Sequence, residues 1–367
     1  KDFTLQEEYG QFWKVTEIFR EWSSGVKTHR DHFAVGFTKE ELIQKLRIFT
    51  GKLPDDLVAQ SLNLKDTRDW KLGQARRKAR ESYLTEKVYP YCYRPFDDRL
   101  ICYELSLIDR GCDRWDLMKH LLSNNMTIAT SRSHPATKNF GALVSNSVSD
   151  IHFVADQSYF FPLYLYPDQT EGLLFAKDEV ERTSNLTDKF LQAIRESLGS
   201  EPTPEEIFYY IYAVLYSPTY RKRYEEFLKI DFPRIPMPAD YESFKALSNL
   251  GRELIDLHLL KHHALDETWI GFPQSDSNKV EKVYYDENTR RVYLNKEQYF
   301  EGISKAVWEY RIGAYQAMEK YLKDRKGRKL SLDEINHYMK VARAIRLTIE
   351  LQEKIDDIYR KDFTMTL

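Results

Sequence analysis

The sequence predicts an α+β fold, in which a mostly antiparallel central sheet is flanked by helical N-terminal and C-terminal parts. Apolar residues recur at helical spacing near the start, short strand-like runs follow, and helix-start signals return in the second half. The chain of 367 residues is long enough for a sizeable core. We predict one compact unit made of four segments, 1–83, 84–182, 183–264 and 265–367.

The first segment is predicted to be helical. Apolar residues near helical spacing indicate a helix over Leu5–Trp22, which a Ser-Ser-Gly run ends. Thr38 and Glu41 form a capping box, because each side chain can bond a backbone N–H of the other's turn. A third helix, rich in basic residues, is predicted over Asp69–Ser82.

The second segment changes to the two-residue period of strands. Lys87–Arg94 and Arg99–Glu104 flank a Pro-Phe-Asp-Asp turn and predict a hairpin. A short helix is predicted over Arg114–Leu122, and the polar stretch Ser131–Asn139 is predicted to be a loop. Further strands are predicted at Met126–Thr130, Ala142–Val144, Ile151–Val154 and Tyr159–Tyr166.

The last two segments return to helices. Thr203, Pro204 and Glu206 form a capping box with proline at the first helical position, ahead of an aromatic-rich helix. A long helix is predicted over Tyr241–His263. A polar linker at 265–280 precedes a hairpin, at Val283–Tyr285 and Val292–Leu294, and a final helix that a capping box at Ser331 and Glu334 opens and that reaches Tyr359.

Composition narrows the class of protein. With 42% hydrophobic and 31% charged residues, and no apolar run of the roughly 18–20 residues that a membrane span needs, we expect a globular protein without a membrane partner. The cysteines are three and form no CxxC pair, which argues against disulfides and zinc and favours the reduced cytoplasm. The chain starts without methionine, so we expect a piece of a longer protein.

Catalytic motifs are not apparent. The sequence contains no phosphate-binding glycine loop, no GxSxG elbow, no HExxH helix and no NPPY-type methyltransferase motif. Asp97 and Asp98 are interpreted as turn residues, and His258 and His262 as a packed or surface pair rather than zinc ligands. We therefore expect no catalysis and no cofactor in this chain.

Positive charge is gathered locally, although the net charge is −2. Basic clusters occur at residues 76–80, 221–223 and 323–329, and each is as compatible with a solvated helix face as with DNA. Two loops, at 24–31 and 131–139, combine Arg, Lys, His, Asn and Ser, the side chains that base edges and phosphates bind. Ordinary polar surface loops remain the alternative.

Several segments together resemble a known family. EIFYYIYAVLYSPTYRKRYEEFLKIDFPRIP, within Thr203–Pro238, resembles the C-terminal specificity region of bacterial Type ISP restriction–modification enzymes and their large stand-alone methyltransferase relatives. SSGVKTHRD, YPYCYRPFDDRLICYE and VWEYRIGAYQAMEKYLKDRKGRKLS resemble further family segments, in the family's order. The resemblance extends over nearly the whole chain.

The resemblance implies a target-recognition domain that binds duplex DNA and presents an adenine to a methyltransferase domain of the same polypeptide. That domain would precede residues 1–83 and would bind S-adenosylmethionine. The predicted DNA-binding residues are Lys27, His29, Arg30, Ser131, Arg132, His134, Lys138, Asn139, Arg221, Lys222 and Arg223. The alternatives are a mainly structural region that packs on the methyltransferase domain, and an enzyme with an unrecognised site.

Overall fold

The computed structural model describes residues 3–109, 111–134, 139–167, 181–266, 269–273 and 276–363. Its α-helices are α1 Phe3–Gly10, α2 Val15–Ile18, α3 Asp31–Ala34, α4 Lys39–Thr50, α5 Asp55–Ser61, α6 Leu72–Arg80, α7 Trp115–Met118, α8 Asp188–Leu198, α9 Pro204–Tyr216, α10 Pro218–Arg223, α11 Glu225–Leu228, α12 Tyr241–His258, α13 Lys305–Glu309, α14 Ala317–Lys323 and α15 Leu332–Phe363. Short 3₁₀ helices lie at Leu84–Glu86, Leu105–Leu107, Lys119–Leu121 and His263–Asp266.

Strands are short and divided among several small sheets. They are β1 Trp13–Lys14, β2 Ser23–Ser24, β3 Val35–Gly36, β4 Val88–Arg94, β5 Asp97–Cys102, β6 Thr127–Ser131, β7 Ala142–Ser145, β8 Val148–Ser149, β9 Ser158–Pro162, β10 Tyr164–Leu165, β11 Thr183–Ser184, β12 Arg234–Ile235, β13 Tyr284–Asp286, β14 Arg291–Tyr293, β15 Tyr299–Glu301, β16 Arg311–Ile312 and β17 Tyr315–Gln316. About 46% of the residues are helical and 18% are in strands, which confirms the α+β class.

Two four-stranded sheets form the middle of the chain. One has the order β2-β9-β6-β7 and is antiparallel throughout. The other has the order β3-β5-β4-β8, in which β8 runs parallel to β4. The predicted antiparallel sheet is thus present as two four-stranded sheets, and smaller sheets of two or three strands accompany them.

The register of the first sheet brings the two predicted loops to one end. Ser131 pairs with Ser158, and the N–H of Gly25 donates to Ser158 O at 3.1 Å. Strands β2 and β6 both run antiparallel to β9, so they run parallel to each other. The loops that follow them, at 24–31 and 131–139, therefore leave the sheet at the same end.

Helix α9 is the centre of the largest core cluster. Every residue from Ile207 to Tyr216 except Tyr209 is buried. Helix α12 crosses α9 so closely at Gly251 that a Cβ there would lie 1.9 Å from Tyr209 O. The capping box at Thr203 is confirmed. The aromatic helix is therefore part of the framework.

Two further clusters complete the core. The second joins the β4–β5 hairpin, represented by Tyr91 and Ile101, to the C-terminal part, represented by Val292 and Tyr338. The third lies under α4 and α6. The final helix α15 contributes residues to both of the larger clusters, among them Ile355 in the first. Segments that are far apart in the sequence therefore share common cores.

Some local predictions are wrong. The predicted helix Leu5–Trp22 is broken, because β1 pairs Trp13 with Ile235 of β12, a partner that is distant in the sequence. Residues 151–154 form a turn rather than a strand, although the N–H of Ile151 donates to Val26 O at 2.9 Å. Helix α12 ends at His258, just before Leu260 takes a left-handed backbone conformation.

Within the described residues, no helix is both long and apolar enough to cross a membrane.

Candidate nucleic-acid interface

One arginine of the basic cluster on α6 is used inside the protein. Arg76 is buried, and its guanidinium donates to the carbonyls of Phe49 at 2.7 Å, Gly51 at 2.9 Å and Leu53 at 2.8 Å, and to the carboxylate of Asp55. The α4 helix ends at Thr50, so these carbonyls include groups that have no partner within the helix. Arg76 is a C-terminal cap for α4 and offers no charge to a ligand.

The buried arginine of the basic cluster at 323–329 is also paired internally. Arg325 is buried and donates to Asp97 Oδ1 and to Glu334 Oε1, both at 2.9 Å. Burial by itself would raise the pKa of Asp97, but the Arg325 and Arg99 guanidinium groups outweigh it and hold that pKa below its ordinary value. Asp97 is therefore an ion-paired strand residue, and the turn predicted for it consists of residues 95–96.

The loop after β2 carries three predicted residues. Lys27 is exposed, and its N–H donates to Cys112 O at 3.0 Å. His29 is exposed with a left-handed φ of 57°, and its Nδ1 lies 2.8 Å from Asp109 Oδ2. Arg30 is buried, donates to Asp109 Oδ1 at 2.5 Å and also bonds two backbone carbonyls. Arg30 therefore supports the loop from inside, and its predicted contact with DNA lacks an exposed guanidinium.

A buried polar network fixes the start of this loop. Asp150 accepts hydrogen bonds from Tyr91 Oη at 2.7 Å and from Arg94 at 2.8 Å. Burial raises the pKa of Asp150, and the Arg94 charge opposes that effect. The backbone of Asp150 passes so close to Gly25 that a Cβ there would lie 2.6 Å from it. The β4–β5 hairpin thereby holds the loop against the sheet.

Two residues begin the loop after β6. Ser131 is the last residue of the strand and is buried. Arg132 is exposed, and its Nε lies 3.5 Å from Asp231 Oδ1. Asp231 also accepts a hydrogen bond from Lys14 Nζ at 2.6 Å. Because Asp231 is shared by two cations and Arg132 is 62% exposed, the Arg132 guanidinium remains accessible to a ligand.

The rest of this loop lies near α11. His134 is buried, and its N–H donates to Lys229 O at 3.2 Å. Asn139 is exposed. Lys138, which is also a predicted DNA-binding residue, lies outside the described residues. The described part of the loop therefore presents one amide and one guanidinium at the surface.

A cleft of about 320 Å³ joins the predicted loop at 131–139 to the basic cluster at 221–223. Its walls come from the β6–β7 loop, from α10 and α11, and from the β16–β17 hairpin. The lining residues are His134, Asn139, Phe140, Pro218, Arg221, Lys222, Glu225, Leu228 and Arg311. Two separate sequence predictions thus meet in one place.

Within the cleft, Arg221 is held in a fixed orientation. Its Nε donates to Leu215 O at 2.5 Å, and its guanidinium carbon lies 4.5 Å from the ring centroid of Tyr216. Lys222 is exposed beside it. Arg223 instead donates to Glu8 Oε2 at 2.7 Å, and this hydrogen bond raises the pKa of Arg223. Arg221 and Lys222 therefore face the cleft while Arg223 is engaged with α1.

Tyr216 fixes α10 relative to the other elements. Its hydroxyl donates to Ala142 O at 2.7 Å, and its carbonyl accepts from Gln352 Nε2 at 2.9 Å. The next residue, Ser217, donates to Asp356 Oδ1 at 2.6 Å. The start of α10 is therefore tied to β7 and to α15, so the cleft is held by long-range hydrogen bonds.

His258 is a packed core residue, in agreement with the prediction. Its Nδ1 lies 2.6 Å from Tyr212 Oη and its Nε2 lies 2.9 Å from Thr348 Oγ1. Burial, and secondarily the charge of Arg221, lower the pKa of His258 to about 3. The described residues contain no group of three or more His, Cys, Asp or Glu that could hold a metal ion.

Arg311 is the cleft residue that the sequence prediction missed. It is exposed and lies on β16, about 90 positions after Arg221 in the chain. The sequence signal was present, because Arg311 belongs to the segment VWEYRIGAYQ that carried part of the family resemblance. Only the packing of the hairpin against the loop shows that the residue belongs to the same cleft.

The fold and the cationic cleft are those expected of a domain that binds an anionic polymer. The family model of the Type ISP C-terminal specificity domain matches residues 17–354, so the chain belongs to this family. The resemblance stated from the sequence is thereby confirmed. No curated protein sequence matches the chain.

Solved structures share the fold. The DrdV–DNA complex, determined by cryo-electron microscopy, matches with a TM-score of 0.73 and 26% identity over 92% of this chain and 36% of that one. The ATP-dependent Type ISP restriction–modification enzyme LlaBIII bound to DNA has a TM-score of 0.73 and 22% identity, over 95% of this chain and 24% of that one. A nuclease-deletion mutant of the Type ISP enzyme LlaGI, in complex with a DNA substrate mimic, has a TM-score of 0.68 and 21% identity, over 95% and 34%. The chain spans about a quarter to a third of the length of these proteins.

Proposed function

We propose that this chain is the DNA target-recognition domain of a restriction–modification polypeptide. The observation that carries the proposal is the cleft in which the β6–β7 loop, with Asn139, meets Arg221 and Lys222. The similar DrdV, LlaBIII and LlaGI structures are complexes with DNA or a DNA mimic, which supports a duplex as the ligand.

The residue types around the cleft suit both parts of DNA recognition. Arg132 and Asn139 belong to the exposed loop, and such side chains can bond the edges of guanine and adenine in the major groove. Arg221 and Lys222 belong to a fixed helix, and such cations bind phosphates and set the register of the protein on the duplex. The loop would therefore read sequence and the helix would hold the backbone.

The net charge of −2 is compatible with this role because binding depends on the local charge at the cleft rather than on the total. In the other two basic clusters, one arginine each is neutralised inside the protein. Arg76 and Arg325 are buried partners of carbonyls and carboxylates. The cations left at the cleft are few, so we expect few phosphate contacts from this chain and a modest salt dependence of binding.

The chemistry that follows recognition is proposed for a different domain of the same polypeptide. We expect that domain to bind S-adenosylmethionine and to methylate an adenine, which an enzyme must rotate out of the duplex before it can react. The chain alone should transfer no methyl group from S-adenosylmethionine to DNA, while the longer polypeptide should methylate adenine in the site that this chain selects. Methylation of cytosine by the longer polypeptide would contradict the adenine proposal.

Selection of duplexes from a pool with randomised positions tests recognition directly. The unchanged chain should enrich one sequence, and Arg132→Ala should lose that preference more than it loses affinity for unrelated duplexes. Lys222→Ala should weaken binding to all duplexes alike, because phosphate contacts carry no direct sequence information. Arg77→Ala, at an exposed arginine of α6, serves as the charge-matched control.

The same selection also distinguishes DNA target recognition from the structural alternative. A region that only packs on a methyltransferase domain would show no enrichment, and Arg132→Ala and Lys222→Ala would bind duplexes as the Arg77→Ala control does. That result would overturn the proposed function.

A further inference from the structure

The β16–β17 hairpin contributes Arg311 to the wall of the cleft. Arg311 pairs with Gln316 across the hairpin, and its guanidinium donates to Ala314 O at 2.7 Å. The side chain is exposed at the cleft. Within the described part of the chain, neither Arg311 nor Lys222 forms an ion pair with a carboxylate. Among the residues that the structure describes, these two cleft cations thus have no carboxylate counterion.

A backbone-to-backbone contact seats this hairpin on the recognition loop. Gly313 has a φ of 56°, and a Cβ there would lie 2.0 Å from Val154 O and 3.1 Å from Gly141 Cα. The N–H of Ala314 donates to Val154 O at 3.0 Å. Gly141 closes the β6–β7 loop immediately before β7. Only glycine permits this approach, so the position of Arg311 relative to the loop is fixed by the backbone.

The same hairpin is connected to α10 through one side chain. Tyr310 Oη donates to Gln352 Oε1 at 3.0 Å, and Gln352 Nε2 donates to Tyr216 O at 2.9 Å. Tyr216 in turn holds the Arg221 guanidinium over its ring. The two cationic walls therefore share an anchor on α15, and the separation of Arg221 and Arg311 is set before any ligand binds.

The charge balance of the cleft favours an anion. Arg221, Lys222 and Arg311 contribute positive charge, and Glu225 is the carboxylate of the lining. Glu225 is already paired with Lys229, whose Nζ lies 2.8 Å from its carboxylate. A ligand that meets this surface therefore experiences a net positive potential in a cleft about 320 Å³ in volume.

We propose that Arg311 contacts a DNA phosphate, and that it forms with Arg221 and Lys222 one preformed site for the phosphate backbone of one strand of the duplex. This proposal rests on the proposed function and adds the C-terminal hairpin to the DNA-binding surface. Arginine suits the role because its planar fork can bond a phosphate through two parallel N–H groups. A preformed site binds without the cost of ordering a loop.

The test compares Arg311→Ala and Arg311→Lys with Arg252→Ala, at an exposed arginine of α12 that serves as the control for the loss of one charge. Binding of fluorescent duplexes, one selected and one unrelated in sequence, is measured between about 50 and 200 mM salt. Arg311→Ala should bind both duplexes about tenfold more weakly, which is the order expected for one charged hydrogen bond. The negative slope of log K against log salt should become shallower by about 0.9, because one phosphate contact is lost.

Arg311→Lys should keep the salt slope and regain part of the affinity, since it retains the charge and loses the fork. If the unchanged chain binds, and Arg311→Ala matches Arg252→Ala in both affinity and salt slope, this proposal is overturned while the proposed function stands. If the unchanged chain binds neither duplex at about 50 mM salt, the proposed function fails and this proposal fails with it.

Discussion

Replacement of Arg76 tests the conclusion that this arginine of the basic helix α6 is a framework residue rather than a DNA contact. Arg76 is buried and reaches the carbonyls of Phe49, Gly51 and Leu53 at 2.7–2.9 Å. Two of these groups lie at or just beyond the end of α4, where the helix dipole also favours a cation. Arg76→Ala removes all three hydrogen bonds and the partner of Asp55 at once.

The expected cost follows from these contacts. A hydrogen bond to a charged group contributes about 1.5–3 kcal/mol when it is fully buried. The Asp55 side chain is 58% exposed, so water can reach this edge, and we take about 1 kcal/mol for each carbonyl. Arg76→Ala should therefore lower the free energy of unfolding by about 3 kcal/mol. Arg76→Lys should cost about 2 kcal/mol, because one ammonium cannot bond all three carbonyls.

Urea-induced unfolding, followed by circular dichroism, measures these differences. Arg77→Ala on the same helix is the matched control, since Arg77 is exposed and its replacement should stay within about 0.5 kcal/mol of the unchanged chain. The reasoning is refuted if Arg76→Ala and Arg77→Ala unfold at the same urea concentration. A variant of Arg76 that kept its stability and lost DNA binding would also contradict the assignment.

Three further results are expected. Gly251→Ala should destabilise the protein by about 1–3 kcal/mol, because its Cβ would lie 1.9 Å from Tyr209 O. The control Gly10→Ala has open space around its Cβ and should be neutral or slightly stabilising. Thermal unfolding of both variants measures the difference. His258 has a pKa of about 3 in the folded protein and about 6.5 when unfolded, so the unfolded chain binds the extra proton and stability should fall as pH drops below about 6.5, by up to about 1.4 kcal/mol per pH unit. His258→Gln should remove this pH dependence in urea titrations at several pH values. An unchanged dependence would refute the reasoning. Arg30→Ala should destabilise the chain because it removes the buried hydrogen bond from Arg30 to Asp109. The DNA affinity of the folded variant should change little. A large loss of affinity in a folded variant would show that Arg30 contacts DNA after all.

Local signals predicted much of the secondary structure. The capping box at Thr203 marks the start of α9, and Thr38 caps α4 by accepting from the N–H of Glu41, while the Glu41 carboxylate accepts from the N–H of Phe37 instead of that of Thr38. Such signals depend only on residues three or four positions apart. The helix predicted over Leu5–Trp22 was wrong, because the pairing of Trp13 with Ile235 is a contact between distant segments. Apolar spacing within one segment contains no information about such a partner.

The predicted site was only partly separable from the framework. Lys27, Arg132 and Asn139 are exposed, as a DNA-binding role requires, but Arg30 and Ser131 are buried. In the sequence, a basic loop residue looks the same whether its side chain is exposed or buried. Whether a guanidinium meets solvent or a carboxylate depends on which other segment packs against it.

The sequence by itself determined the family and the α+β class, because the order of its motifs and the local helix and strand signals are properties of neighbouring residues. Tertiary structure decided which charges remain available. It paired Arg76 and Arg325 inside the protein, and it brought Arg311 to Arg221 across about 90 positions of chain. The physical reason is that burial and charge pairing are set by contacts between distant segments, which the glycine approach at Gly313 and the bridging Gln352 fix here.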